Sequence, residues 1–496
     1  MLDLKIWEEK IKEKRKKTQF KNFVKEFASW EVLNLYKNKG QVCRYPDSGR
    51  VKNLDNKESQ NASSYFLDYD FNLDFFKNFH KLNNIVPYQY LISFGDMNEN
   101  TIFADAVFGA KDCYLSFVLG REVERILYSA FVVVNCKNII NSFLVTYGSE
   151  NICMSAGITN SFNIFYSKYI TDSANIWFST NLIGCQECIF CNGLQNQRYC
   201  FQNKILEKEE YFKIKKQILE KKYKFLENYI FISKNEPINY LSENINGKFN
   251  IKCSNIKDGY WLNNMENVRN GIIGFSDGGD AKNFYDCVDF GITSQNMYGC
   301  VASGNECKNI YLSTQLDKSS NIYYSYFMTN CSFCIGCIGL KNKSYCILNK
   351  QYSKEEWYNL ANKIFEQMDK DGILGDFFPG SLNPFYFNDT MAYLIDDSFT
   401  KEEVVNEGYM WRDSEIKVDI PEGADIVEAK DINNFQGYDS NGDWYINSEI
   451  MKKVIIDENG NYYKIVPMEY DFLMKHQLPL PEIHWLDRIK LGFKFK

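Results

Sequence analysis

A chain of 496 residues with 45% hydrophobic content can bury a large core and has room for roughly two to four domains. A net charge of −7 and a pI of about 5.4 leave no basic footprint, which argues against nucleic acid as the main partner. No stretch approaches the ~18 apolar residues that a spanning helix needs, and the charged opening Met1–Lys10 holds no secretory h-region.

Sixteen Cys without an export signal are expected to be reduced thiols, so the expected location is cytoplasmic. Aromatic content of 16% points to packing dominated by rings. Residues 1–38 place Trp7, Ile11, Phe20, Phe23, Phe27, Trp30 and Leu33 at helical spacing and read as an N-terminal helix. Its basic run Lys10–Lys17 reads as a solvated amphipathic face, with contact to an anionic surface as the alternative. Residues 39–97 combine a polar loop or small hairpin around Gly40 and Pro46–Gly49 with an aromatic helix through Phe71, Phe75, Phe76, Phe79 and Leu82.

From about residue 98 the period changes. A five-residue word, roughly Asn-apolar-x-aromatic-Ser, recurs as Asn138–Ser142, Asn151–Ser155, Asn163–Ser167 and Asn175–Ser179, and ends in Glu187–Cys191. Its last positions step by 13 residues and then by 12. The rhythm returns in Asn283–Cys287, Asn296–Cys300, Asn309–Ser313, Asn321–Ser325 and Phe333–Cys337. So short a period cannot hold two helices, which need roughly 30 residues or more. It suits strand, turn, strand, turn, stacked as a parallel β-solenoid. Alternation predicts the apolar second position inward, the third outward and the aromatic fourth inward. Asn at the first position suits a bend, because it tolerates left-handed backbone. One rung per turn and two rungs per turn both fit the spacing.

The expected fold is therefore mainly β: two tandem solenoid arrays of 12–13-residue rungs at 98–204 and 231–350, each closed by an α-helix at 205–230 and 351–372. The Ser353–Glu356 spacing predicts a capping box, and a helix there would block end-to-end strand addition. Residues 373–413 read as an extended Pro/aromatic strip and a short helix opening at Thr400, and 414–496 as a small α+β tail with an Asn459-Gly460 hairpin turn.

The strongest chemical signal occurs twice. Cys185, Cys188, Cys191 and Cys200 match Cys331, Cys334, Cys337 and Cys346 in a Cys-x2-Cys-x2-Cys-x8-Cys pattern, each pair 146 residues apart, so the segment is an internal duplication. Four thiolates are a ligand set for zinc or for an iron–sulfur cluster. Against metal, Cys191 and Cys337 stand where earlier rungs carry Ser, and residues three apart in an extended strand face opposite ways, which would part Cys188 from Cys191. Structural thiols are the favoured reading.

Other candidates are weaker. His80, His476 and His484 lie far from the Cys pairs, which argues against a Cys/His site. Asp439–Asp443 resembles a calcium loop but lacks its Gly and Glu, so a plain Asn441-Gly442 turn is favoured. Asp277, Asp280, Asp286 and Asp289 could supply paired carboxylates for a carbohydrate-active enzyme, although turn formation is the simpler reading.

The segment Gly339–Glu356, with Phe377–Pro379, Ser381–Phe385 and Thr400–Glu403, resembles a repeat-rich, uncharacterised family of ultra-small bacteria of the candidate phyla. Phe71, Phe75, Phe76, Leu82, Val86 and Pro87 resemble its N-terminal segment, and Tyr463–Ile465, Glu469 and Leu478–Pro481 its C-terminal one. The resemblance implies zinc-ribbon Cys pairs at both ends. Here they are degenerate: Cys43 stands alone, and Ile455, Ile456 and His484 occupy the tail positions. The family implies an architecture without an activity. The leading expectation is a non-enzymatic scaffold that presents Asn/Ser/Tyr-rich faces to a protein or glycan partner. A metalloprotein on the twin Cys sets and a carbohydrate-active enzyme are the alternatives.

Overall fold

The computed structural model describes residues 4–94, 97–220, 238–276, 281–413, 420 and 422–493. The chain is mainly β, and between residues 99 and 347 it winds through about 19 turns of parallel β-solenoid. One rung makes one turn. Ile139 pairs with Ile152, Ile152 with Ile164 and Ile164 with Ile176, so in these turns each residue meets its own successor 12 or 13 positions later.

Left-handed corners set the geometry. In the turn Asn163–Ala174, Asn163, Tyr166, Tyr169 and Asp172 have φ of 55°, 52°, 58° and 50°. Positive φ at every third residue bends the chain four times per turn. Turns of 13 residues carry a doubled corner: Val134-Asn135, Tyr147-Gly148, Ile292-Thr293 and Asn305-Glu306 each place two successive residues at positive φ, whereas Asn160, Asp172 and Lys318 stand singly in the turns of 12. The expected Asn bends are therefore real, at Asn138, Asn151, Asn163 and Asn175. The expected alternation is not. The corner after the third position of each word turns the aromatic outward and sends the fifth residue in, so the interior holds Ile and Ser.

Each regular turn of the first array from Ser129 to Ile183 thus offers four inward positions, two apolar and two filled by Ser or Cys. Ile126, Ile139, Ile152, Ile164 and Ile176 make one apolar column of the first array, and Val132, Val145, Ile158, Ile170 and Leu182 another. The Ser columns close a backbone account. Ser155, Ser167 and Ser179 donate a backbone N–H to the Oγ one turn earlier (3.3, 3.1 and 3.1 Å), while the Oγ of Ser142, Ser155 and Ser167 donates to the carbonyl two residues back (2.8, 2.9 and 2.9 Å). Corners would otherwise bury unpaired N–H groups.

Two compact units cut across the linear order. Met1–Tyr90 joins Ile238–Ser414, and Leu91–Pro237 joins Glu415–Lys496. In the first unit, helices Lys5–Arg15 and Phe20–Phe27 lie on the second array. They cover a ladder of stacked rings, Tyr285, Tyr298, Tyr311 and Tyr323, with centroids 5.3, 5.3 and 5.0 Å apart. The basic run is partly anchored there: Lys12 Nζ sits 5.1 Å over the Tyr298 ring, and buried Arg15 pairs with Asp286 (2.6 Å) and Glu26 (2.9 Å). The closing helix Lys354–Lys370 carries the capping box on Ser353 and Glu356, and buries Trp357, Ile364 and Phe365.

In the second unit the tail packs on the first array. Tyr128, Ile140, Phe165, Trp177 and Ile189 share a core with Ile432, Trp444, Ile455, Phe472 and Leu478. Arg488, fully buried, donates to Glu469 (2.7 Å), Asn141 (2.9 Å) and the Ile483 carbonyl (2.7 Å). The expected tail hairpin pairs Val454–Ile456 with Tyr462–Tyr463, and Asp439 Oδ1 accepts from the N–H groups of Asn441 and Asp443 as a turn former. The closing helix of the first array spans Lys208–Leu219; its expected continuation to Tyr229 lies outside the described residues, as do Asp277 and Asp280.

Two outcomes test this packing. Asn163→Val should lower stability by ~1–3 kcal/mol, because a β-branched residue is strained at positive φ, whereas Asn163→Gly should stay within about 1 kcal/mol of the parent. Arg488→Met should cost about 3–5 kcal/mol by stranding Glu469, and adding Glu469→Leu should recover part of it. Urea midpoints measure both.

Candidate functional site

The twin cysteine sets occupy the last turns of each array. Cys185, Cys188 and Cys191 share one turn, with corners at Glu187 (φ 53°) and Phe190 (φ 53°) between them. Each corner swings the next inward position back to the axis, so the expected parting of Cys188 from Cys191 is overturned: residues three apart all face the interior. Cys200 lies one turn on, in register with Cys188. The second set repeats the arrangement, with Cys346 in register with Cys334.

All sixteen cysteines are buried free thiols. Within the sets the thiols influence one another: Cys331, Cys337 and Cys346 act on Cys334, and Cys185 and Cys191 on Cys188. The central thiols keep their protons and donate to the Gln186 and Ser332 carbonyls (3.6 and 3.5 Å), and their proximity pulls Cys185 down to about 7 and lowers Cys191, Cys331 and Cys346. Isolated thiols behave oppositely: burial pushes Cys136, Cys253 and Cys307 up to about 12. Among the described residues no three His, Cys, Asp or Glu side chains already surround a metal-sized point.

One of the four in each set also does the work of Ser. Cys191 Sγ donates to the Ile189 carbonyl (3.3 Å) and accepts the Asn203 N–H (3.4 Å); Cys337 does the same with Ile335 and Asn349 (3.4 Å each). Asn203 and Asn349 then end the solenoid. Their side chains hold both the N–H and the carbonyl of residues 192 and 338 at 2.8–2.9 Å, taking the place of a further turn. Gly193 and Gly339 are matched corners with φ of 70° and 73°.

Beside the second set lies a feature that motif reading missed. Ser320, Ser332 and Ser344 are successive members of one parallel column, and with Lys318, Asn330 and Asn342 they line a shallow cleft of about 420 Å³. Ser332 and Ser344 hydroxyls bond at 2.8 Å, and Asn330 donates to Asn342 at 2.6 Å. Cys331 reaches the cleft floor. The twelve-residue spacing of the three Ser was the available signal. Next to this column runs an amide ladder, in which Asn283, Asn296 and Asn309 each donate to the next Asn at 2.9–3.1 Å.

The remaining candidates are placed elsewhere. Asp286 is tied to Arg15, and burial pushes Asp289 up to about 7. His476 and His484 are held down to about 4 by burial, and His80 is exposed on its helix. No helix of the described residues is long and apolar enough to cross a membrane. No protein-family model, curated protein or solved structure matches the chain.

Ser167→Ala should cost ~1–3 kcal/mol, because it strands the Ser179 N–H, and Ser167→Cys should cost about 1 kcal/mol less by keeping both bonds. Denaturant midpoints of the two variants give the comparison.

Proposed function

We propose that the protein is a binding scaffold, not an enzyme, whose rigid second array presents a polar ridge to a glycan. The observation that carries this reading is the column Lys282, Gln295, Lys308, Ser320, Ser332 and Ser344, in register from turn to turn and ending in the cleft. Its groups recur at one strand spacing, about 4.8 Å, on backbone held from both sides. Hydroxyl, amide and ammonium groups match the donors and acceptors of a saccharide. A protein partner is less well served, because hot spots draw on Trp, Tyr and Arg, which this column lacks. The tyrosines that might have served a partner are spent inside the chain: Tyr298, Tyr311 and Tyr323 lie buried against the N-terminal helices.

An enzymatic reading finds less support, since Asp286 is committed to an ion pair with Arg15. The sixteen free thiols favour a reducing, cytoplasmic setting. The segment Gly339–Glu356 carries the accompanying proposal of kinship with the repeat family of ultra-small bacteria.

Binding of the full chain to a glycan array tests the reading. Retention of at least one glycan class is expected, and Lys318→Glu combined with Ser332→Ala should weaken it about tenfold or more, the worth of one to two hydrogen bonds. Glycan retention unchanged in that variant, or a protein partner captured while every glycan fails, would overturn it.

A further inference from the structure

The ridge leaves the two thiol sets unused, and they gather four Cys where other turns of the interior hold at most two. We propose that each four-cysteine set, Cys185/Cys188/Cys191/Cys200 and Cys331/Cys334/Cys337/Cys346, is a site for one thiophilic closed-shell divalent ion, with zinc as the biological case. The proposal rests on no part of the glycan reading.

Placement comes first. One turn earlier in the first array, the inward positions are Ser173, Ile176, Ser179 and Leu182. In the set, Cys185 and Cys191 replace both Ser, and Cys188 and Cys200 replace two successive Ile of the apolar column. The second array makes the same change, from Ser319, Ile322 and Ser325 to Cys331, Cys334 and Cys337, followed by Cys346. Single Cys also fill Ser positions elsewhere, as at Cys253, Cys300 and Cys307, so the change peculiar to the sets is the loss of two successive Ile from the apolar column. Replacing core Ile by a smaller side chain costs on the order of 1 kcal/mol or more at each position. Both arrays carry that cost twice over, at the same two places. Three corners of one turn and the position directly beneath the middle one point four sulfurs at a shared stretch of the axis, which is the donor count of a closed zinc site.

The surroundings of the sulfurs suit thiolates. Backbone N–H groups of Asn203 and Asn349 donate to Cys191 and Cys337 at 3.4 Å, those of Asn196 and Gln197 face Cys185, and those of Asn342 and Lys343 face Cys331. Such outer bonds stabilise the charged form of a ligand and orient it on a metal. Four sulfurs per set match the ligand count of a single ion.

Loading is an exchange of bonds without redox change. Four S–H bonds become four metal–sulfur bonds of about 2.3 Å, and the thiol protons leave to solvent. The thiol-to-carbonyl bonds of the set are given up, and the sulfurs draw in around the ion.

The test uses the full chain, reduced, stripped with chelator and titrated anaerobically with Co2+. Two ions per chain are expected, with sulfur-to-cobalt charge-transfer absorption and the visible bands of a tetrahedral thiolate site, both displaced by Zn2+. Cys188→Ser with Cys200→Ser should remove one ion, Cys334→Ser with Cys346→Ser the other, and Cys136→Ser with Cys253→Ser neither. A folded wild-type chain that takes up no Co2+ or Zn2+, or that binds cobalt without the thiolate absorption, overturns the proposal. So does a stoichiometry that neither double variant lowers while its circular dichroism stays native. The wild-type titration decides the matter even where a variant fails to fold.

Discussion

The bond on which everything else hangs is the one a corner N–H makes with the Ser or Cys of the preceding turn. Positive φ in a residue other than Gly costs of order 1–3 kcal/mol, and the arrays place Leu144, Phe131, Val118 and Ile273 there as well as Asn. Such a backbone persists only when its surroundings overdetermine it. The parallel ladders supply part of that, and the apolar columns more. The hydroxyl columns supply the element that a purely apolar interior could not, a partner for each donor that a corner turns inward. Four bends per turn also leave space for only four inward side chains, so chemistry in the interior is confined to a narrow axial file. The cysteine sets are a local change in the composition of that file.

So thin a core cannot stand alone, and the terminal segments complete it. Each array buries one long outer face beneath a segment far away in sequence, the N-terminal helices over the second and the tail over the first. The rings explain the aromatic content: outward positions of adjacent turns stack at 5.0–5.3 Å and are then roofed. Buried ions fasten both roofs, Arg15 with Asp286 in one unit and Arg488 with Glu469 in the other. A lone partner in either place would be far costlier than the pair. What remains uncovered is the strand-entry column and its amides, which is why the functional reading moves away from tyrosine.

Much of this was legible beforehand. The spacing of Asn138, Asn151, Asn163 and Asn175 announced the solenoid, Ser353–Glu356 announced its closing helix, and the 146-residue offset announced the duplication. What stayed hidden was handedness. Hydrophobic alternation assumes extended backbone, and under that assumption Cys188 and Cys191 look opposed. The Asn at each word's start marked one corner in four, while the corners at Tyr166, Tyr169 and Phe190 carry residues with no turn signature. The roof assignments were equally silent, because amphipathic helices record that they cover something without recording what. The cleft escaped because its Ser residues look like ordinary strand entries until the turns are stacked.

The doubled corners carry a consequence for how such a chain can change length. A stray residue inserted into a side would slip an inward column out of line and break every ladder beyond it, yet the turns of 13 absorb theirs at one vertex, as at Tyr147-Gly148 and Asn305-Glu306. Growth and loss are thereby quantised: whole laps can be gained or shed while the rest of the stack keeps its register, and single residues are admissible at a vertex, as the one-residue shift at Asn246/Gly247 also shows. Lineages of this fold should therefore differ in lap number far more readily than in lap design.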